Sequence, residues 1–322
     1  MSRVSVVIPC HNGAKYLPQA LESVRAQTRP VDEVIVVDDQ STDESAAIAR
    51  CFGATVLSTD RNLGPSGARC AGIAASTGDV LAFLDADDYW EPDHIERVVG
   101  LLDRHPEIAL AFSRERRIGE WSGEHPKVLP EDRPVDAFWT LLRQNIIPQM
   151  GVAVRRAQLE EVGGYDPALR YSEDYDLWLR LARRHPIACT HAITCNHRGH
   201  PAQASRNDTR LERSAAEVRR RAWVSARGTE PAEFVNRLEN ELRRAWERQL
   251  RAAWRSRDAR RFETVLGLQD CVPGSAAIHR KWTRRARRWW RGYVLAGRLW
   301  DGLPDWVKRA LSAPRRAFLG AS

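Results

Sequence analysis

The chain has 322 residues, enough for one large domain or two modest ones with a sizeable core. Six scattered cysteines form no C-x-x-C pair, which argues against a zinc site or a disulfide framework, and no run of about 18 apolar residues offers a spanning helix. The net charge of +8 divides unevenly, −7 over residues 1–209 and +15 over 210–322, so a domain boundary is expected near Asp208–Glu212. Because Met1 leads almost directly into a strand pattern, no signal peptide is expected, and a reducing, cytoplasmic setting follows.

In chain order, Val4–Pro9 is a buried strand, and Tyr16, Leu17, Ala20, Leu21 and Val24 are spaced for the inner face of a helix. The β-branched run Val34–Val37 predicts a strand covered on both faces. Asp43–Phe52 reads as helix, Thr55–Leu57 as a short strand, Gly64 to about Ser76 as helix, and Val80–Leu84 as strand. This alternation predicts an α/β fold with a doubly wound, mostly parallel sheet. Asp93–Arg104 is expected as helix, Ile108–Ser113 as strand, Trp121–Asp136 as a polar loop, Gly151–Val154 as strand and Glu173–Arg184 as helix. From Thr209 onward strand signals stop, and Leu211–Ala226, Pro231–Arg255 and Arg257–Leu268 favour helix.

Acidic residues gather where the early strands end. Asp85, Asp87 and Asp88 follow a buried strand, as a divalent cation completed by phosphate oxygens and water requires; a solvated capping loop is the simpler alternative. Asp38 and Asp39 end another strand, where carboxylates accept from a base or ribose, while Ser41 or Thr42 would cap the next helix. Asn62–Arg69 sets small residues, Gly67 among them, and an arginine at a helix start suited to a diphosphate. Ser172 would cap a helix carrying Glu173 and Asp174 in its first turn, where the dipole favours an ionised general base. His197 and His200 flank Arg198 in a segment, Asn196–Arg206, that reads as loop; metal, phosphate and plain surface roles stay open for them.

Together these stretches resemble family 2 glycosyltransferases of the GT-A fold. The matching motifs are VSVVIPCHNGAKYL, EVIVVDDQSTD, NLGPSGARCAGIAASTGDVLAFLDADDYW, GGYD and SEDYDLWLRLA, over roughly Met1–Asn207. The resemblance implies base binding by Pro9, Asn12 and Asp39, with His11 where the family often has tyrosine, and Arg69 near the diphosphate together with Gly67 and Asp87. It implies Mn²⁺ or Mg²⁺ at Asp85, Asp87 and Asp88, with His200 approaching the metal or diphosphate. Asp174 matches the catalytic base, with Glu173 beside it, and Gly164, Tyr165 and Trp178 fall in the motifs on the sugar and acceptor side. It implies inverting transfer of a sugar from a nucleoside-diphosphate donor, uridine favoured, to a hydroxyl of a saccharide or lipid-linked acceptor in cell-surface polysaccharide, glycolipid or glycoconjugate synthesis.

Residues 1–209 are thus expected to be the nucleotide-sugar-binding catalytic domain and 210–322 a basic, tryptophan-rich helical extension. Lys281–Arg291 holds six basic residues and no acid, interleaved with Trp282, Trp289 and Trp290. Residues 281–300 therefore have the composition of a peripheral contact with the inner face of a membrane, weighed against a helical domain whose tryptophans pack inward. No module for specific nucleic-acid recognition accompanies the charge. Two rival functions are a sugar-nucleotide nucleotidyltransferase, whose G-x-G-T-R loop is replaced here by P-C-H-N-G, and a non-catalytic nucleotide-sugar-binding relative.

Overall fold

The structure is a computed structural model that describes residues 2–120, 122–124, 126, 129–200, 208–256 and 259–295. It divides into two compact units, Met1–Arg206 and Asn207–Ser322. In the first unit the strands are β1 (Val4–Cys10), β2 (Glu33–Asp38), β3 (Thr55–Ser58), β4 (Val80–Phe83), β5 (Tyr89–Trp90), β6 (Leu110–Gly119), β7 (Gly123–Glu124), β8 (Val152–Arg155) and β9 (Ile187–Gly199). Among the described residues they join one sheet, ordered β3-β2-β1-β4-β8-β6-β9-β5, with β7 paired to β6.

The sheet is parallel from β3 to β4, and β8 then enters antiparallel against both β4 and β6. The intervening helices are α1 (Leu17–Arg25), α2 (Ser45–Cys51), α3 (Gly64–Ala75), α4 (His94–Arg104), α5 (Phe138–Arg143), α6 (Arg156–Glu161) and α7 (Glu173–Arg184). Successive residues of β1 point to opposite faces. Val4, Val6 and Ile8 join a core with Leu17, Leu21 and Val24 of α1 and Ile95, Val98 and Leu102 of α4. On the other face Gly72 of α3 sits so close that an added Cβ would lie 2.4 Å from Val7 Cγ1 and 3.1 Å from Val37 Cγ2.

The chain winds β1 to β2 to β3 in one direction and returns through α3 to β4 on the far side of β1. Strand order reverses there, and sheets of this kind bind ligands in the crevice beyond the carboxyl ends of the strands at such a point, here β1 and β4. β1 outruns β4, whose pairing stops at Val7–Phe83, so Pro9, which has no N–H to donate, sits where β4 no longer asks for one.

Two expectations need correction. Asn196–Gly199 is not loop: it finishes the thirteen-residue β9, in parallel register with Arg116–Gly119 of β6. Nor is 121–136 wholly loop, since Gly123–Glu124 pairs with β6 and Glu131 and Val135 bridge to β9; residues 121, 125, 127 and 128 lie outside the described residues.

The second unit is helical: α8 (Asp208–Ala226), α9 (Ala232–Arg255), α10 (Ala259–Leu266) and α11 (Ala276–Leu295). Leu238, Leu242, Ala245, Trp246, Leu250 and Ala253 form the buried stripe of α9, and the Trp246 indole donates to Val265 O at 2.6 Å. Trp282 is 2% exposed and meets Trp254 and Phe262 with ring centroids 5.9 and 6.1 Å away. That tryptophan is core rather than surface. No described helix is long and apolar enough to cross a membrane. Of the 281–300 segment, residues 296–300 lie outside the described residues.

Candidate active site

The turns after β1 and β2 are locked together. Asn12 and Gln40 both take left-handed backbone, at φ 53° and 65°. Asn12 N donates to Ser41 Oγ, and Asn12 Oδ1 accepts from Thr42 N at 2.8 Å. Ser41 and Thr42 therefore serve this staple and do not cap α2; Asp43 Oδ1 takes the Ser45 N–H instead. His11 Nδ1 lies 2.7 Å from Asp39 O, so that nitrogen carries the proton, leaving Nε2 to accept from the Asn12 amide at 3.2 Å. His11 and Asn12 are exposed at the crevice mouth, and Pro9 is half-buried behind them.

Asp39 turns inward. Its carboxylate accepts from Thr59 Oγ1, Leu63 N and Gly64 N, each at 2.8 Å, and it is 3% exposed. It thereby satisfies free N–H groups at the start of α3, a use that competes with the expected base contact. Gly67, one turn on, is packed under Leu63, whose Cβ would stand 2.6 Å from an added Cβ.

Beyond β4, the three aspartates separate in role. Asp85 Oδ1 holds Arg69 Nη2 at 2.6 Å. Asp88 is 2% exposed and accepts the Arg198 backbone N–H at 2.7 Å; burial first, then Asp87 and Asp85, push its carboxyl well above the ordinary carboxylate range. Asp87 Oδ2 lies 2.8 Å from His200 Nε2, with both side chains partly open to solvent. β9 delivers this histidine. Arg198 anchors the arrangement, donating to Asp87 O at 3.0 Å and Gln19 Oε1 at 2.7 Å, with its guanidinium over the rings of Tyr16 (4.9 Å) and Tyr89 (5.8 Å). His200 meets the same Tyr16 ring at 5.3 Å.

Among the described residues no cluster of three or more metal-ligating side chains converges. What fits a hard divalent cation is the Asp87–His200 pair, which needs phosphate oxygens and water to complete the shell. Of the other expected ligands, Asp88 is buried against the β9 backbone, while Asp85 gives Oδ1 to Arg69 and stays as open as Asp87.

The first turn of α7 closes the site. Ser172 adopts φ 55° and its side chain makes no capping bond, contrary to expectation. Glu173 Oε1 holds Arg69 Nη1 at 2.7 Å, so one guanidinium touches both the loop after β4 and the start of α7. Asp174 Oδ2 accepts from Asn145 Nδ2 at 3.2 Å. Burial, then Glu173, raise Asp174 to about 7, outweighing the Tyr175 backbone N–H, Arg69 and Asn145. The helix start alone does not keep it strongly ionised. A group poised near 7 suits proton acceptance at neutral pH.

Tyr165 and Trp178 lie beneath the site rather than in it. Trp178 is fully enclosed, its ring 6.3 Å from that of Tyr165, whose hydroxyl exchanges bonds with the Gln149 amide. Direct contact of either with a sugar is not how they are placed. Gly164 is tied down through its carbonyl by Arg180 Nη2 at 2.7 Å. Asn145, Gln19 and Tyr16 were not singled out by sequence: Tyr16 reads as a helix-face residue, and nothing local marks Asn145 or Gln19.

Residues 5–162 match the family model described as glycosyl transferase family 2. The amylovoran biosynthesis glycosyltransferase AmsE of Erwinia amylovora is 32% identical over 193 residues, covering 57% of this chain and 71% of that one. An uncharacterized glycosyltransferase of Rickettsia prowazekii is 29% identical over 208 residues, 63% of this chain and 65% of its own length. One from Nostoc is 35% identical over 176 residues, 51% of this chain and only 54% of its own. Among solved structures, S. aureus TarS in complex with UDP-GlcNAc aligns with a TM-score of 0.65 at 18% identity, over 84% of this chain and 82% of that one. A mannosyltransferase from Pyrobaculum calidifontis in complex with GDP-Man and Mn²⁺ aligns at 0.56 and 19% identity, over 94% and 88%. At these identities the structural likeness is one of fold, that of GT-A glycosyltransferases.

Proposed function

The chain belongs to glycosyltransferase family 2, and from that premise we propose that it transfers a sugar, with inversion, from a nucleoside diphosphate to an acceptor hydroxyl. Residues 1–209 are the nucleotide-sugar-binding domain in this reading. The observation that supports it is the Arg69 bridge, which brings Asp85 and Glu173 to one guanidinium and so favours a common crevice for the acidic loop and Asp174. A uridine donor is the first candidate, since TarS was solved with UDP-GlcNAc and with UDP, and the GDP-Man complex of the Pyrobaculum enzyme supplies the second. The acceptor is a saccharide or lipid-linked hydroxyl.

In the reaction, Asp174 takes the proton of the acceptor hydroxyl as its oxygen bonds the anomeric carbon, and the bond from that carbon to the diphosphate breaks on the opposite face. His11 and Asn12 stand at the crevice mouth to contact the base. Asp87 and His200 would hold Mn²⁺ or Mg²⁺, which would neutralise charge on the departing diphosphate when bound. Arg280, Lys281, Arg284 and Arg285 are exposed on α11 and support salt-sensitive contact with an anionic membrane face.

A thermal-shift screen of nucleotide sugars with and without Mn²⁺ identifies the donor. With it, Asp174→Asn abolishes transfer while donor affinity stays close to wild type. Near-wild-type turnover in that variant removes Asp174 from the base role.

A further inference from the structure

Arg69 stands at the centre of the site yet is closed off from it. It is 3% exposed. Both terminal nitrogens are engaged, Nη2 with Asp85 and Nη1 with Glu173. Its Nε is buried and has no hydrogen-bond partner among the described residues, and the Tyr165 ring covers it with the centroid 5.8 Å from Cζ. No edge of the guanidinium is presented to a diphosphate, which is where the family resemblance had put it.

We infer that Arg69 is a positioning residue: it straps the loop after β4, through Asp85, to the first turn of α7, through Glu173, and thereby sets where Asp174 stands relative to Asp87 and His200. The inference rests on the transfer reading of this crevice. Asp87 follows two residues after Asp85, and Asp174 directly follows Glu173, so each strapped carboxylate is a near neighbour of a working one. A planar guanidinium fixes two carboxylates at a set separation and angle, which a lysine ammonium, a single point of charge, does not. In-line displacement needs the acceptor oxygen, the anomeric carbon and the departing diphosphate oxygen aligned, with the proton acceptor in reach of the acceptor hydroxyl, and a displacement of about 1 Å costs roughly 100-fold. α3 is itself seated on the segment ahead of α7, where Ser66 Oγ donates to Asp166 O at 2.7 Å, so the strap runs between elements already in contact.

The test combines unfolding with a split of binding from turnover. Arg69→Met, Glu173→Gln and the double variant are unfolded in urea. The strap predicts strongly non-additive midpoints, with the double variant recovering most of the loss of Arg69→Met, because that single change strands a buried carboxylate. UDP and GDP affinity is then measured by calorimetry with Mn²⁺, and turnover with the sugar donor that the thermal screen selects. In Arg69→Lys, which keeps the charge and eases folding, nucleotide affinity stays within about threefold while kcat falls at least 30-fold. If nucleotide affinity falls as far as kcat, Arg69 contacts the diphosphate and the strap is overturned. Additive midpoints overturn it as well. Wild-type protein that binds neither nucleotide overturns the transfer reading, and the catalytic meaning of the strap with it, whatever the midpoints show.

Discussion

Asp174 is a residue whose pH behaviour follows from its surroundings. Burial and Glu173 raise it to about 7, whereas in the unfolded chain an aspartate titrates near 4. Between those values the folded state binds the extra proton, so this group's contribution to stability falls as pH rises from about 4 to about 7. Asp174→Asn removes the dependence: its unfolding temperature exceeds that of wild type at pH 8 by a few degrees, at roughly 2–4 °C per kcal/mol, and the gap closes at pH 4. A gap of equal size at both pH values would contradict the assignment. The same carboxyl must be ionised to accept a proton, so kcat/KM for transfer should drop on the acid side of about pH 7, an inflection that Asp174→Asn cannot show. That the group is acidic was readable from SEDYD. That its environment raises it to about 7 was not, because burial, the first cause, is set by the fold, and Asn145 and Arg69 come from distant parts of the chain.

Elements carry the next level of argument. α3 reaches β1 and β2 only because residue 72 has no side chain. Gly72→Ala pushes a methyl into Val7 and Val37 and should lower stability by about 1–3 kcal/mol, measured by urea unfolding; a neutral result would mean that α3 shifts freely. At the start of α7, Ser172 holds left-handed backbone without capping. Ser172→Gly should therefore stay within about 1 kcal/mol of wild type, while Ser172→Val, β-branched and costly in that conformation, loses roughly 1–2 kcal/mol. The helix Glu173–Arg184 itself was legible, since Leu177, Trp178 and Leu181 mark its inner face. β9 was not. Its sequence IACTHAITCNHRG mixes small, polar and apolar residues, and it becomes a strand through parallel pairing with β6 and antiparallel pairing with β5.

For the whole molecule, every residue assigned to the crevice, from Pro9 to His200, lies in the first compact unit, which has its own hydrophobic core. A chain ending at Arg206 should therefore keep the nucleotide affinity of the full protein, and a loss beyond about tenfold (about 1.4 kcal/mol) would show that the helical unit takes part. The second unit carries the charge. Trp282 is turned into its interior and Arg280 and Arg284 are exposed, so sedimentation with anionic vesicles should weaken as salt rises and fall further in R280E/R284E. Binding to neutral vesicles at the same level would defeat that reading.

Composition, hydrophobic period and motif order determined the α/β class, the run of helices and strands through β4, the helical second unit and the glycosyltransferase family. Those are local or one-dimensional properties, written in neighbouring residues. Tertiary structure alone decided which carboxylates face the crevice. Asp39 went to α3 and Asp88 to β9, while Asp85, tied by one oxygen to Arg69, stays partly open with Asp87, His200 and Asp174. A carboxylate's partner is chosen by what folding brings within about 3 Å, and spacing along the chain does not encode that distance.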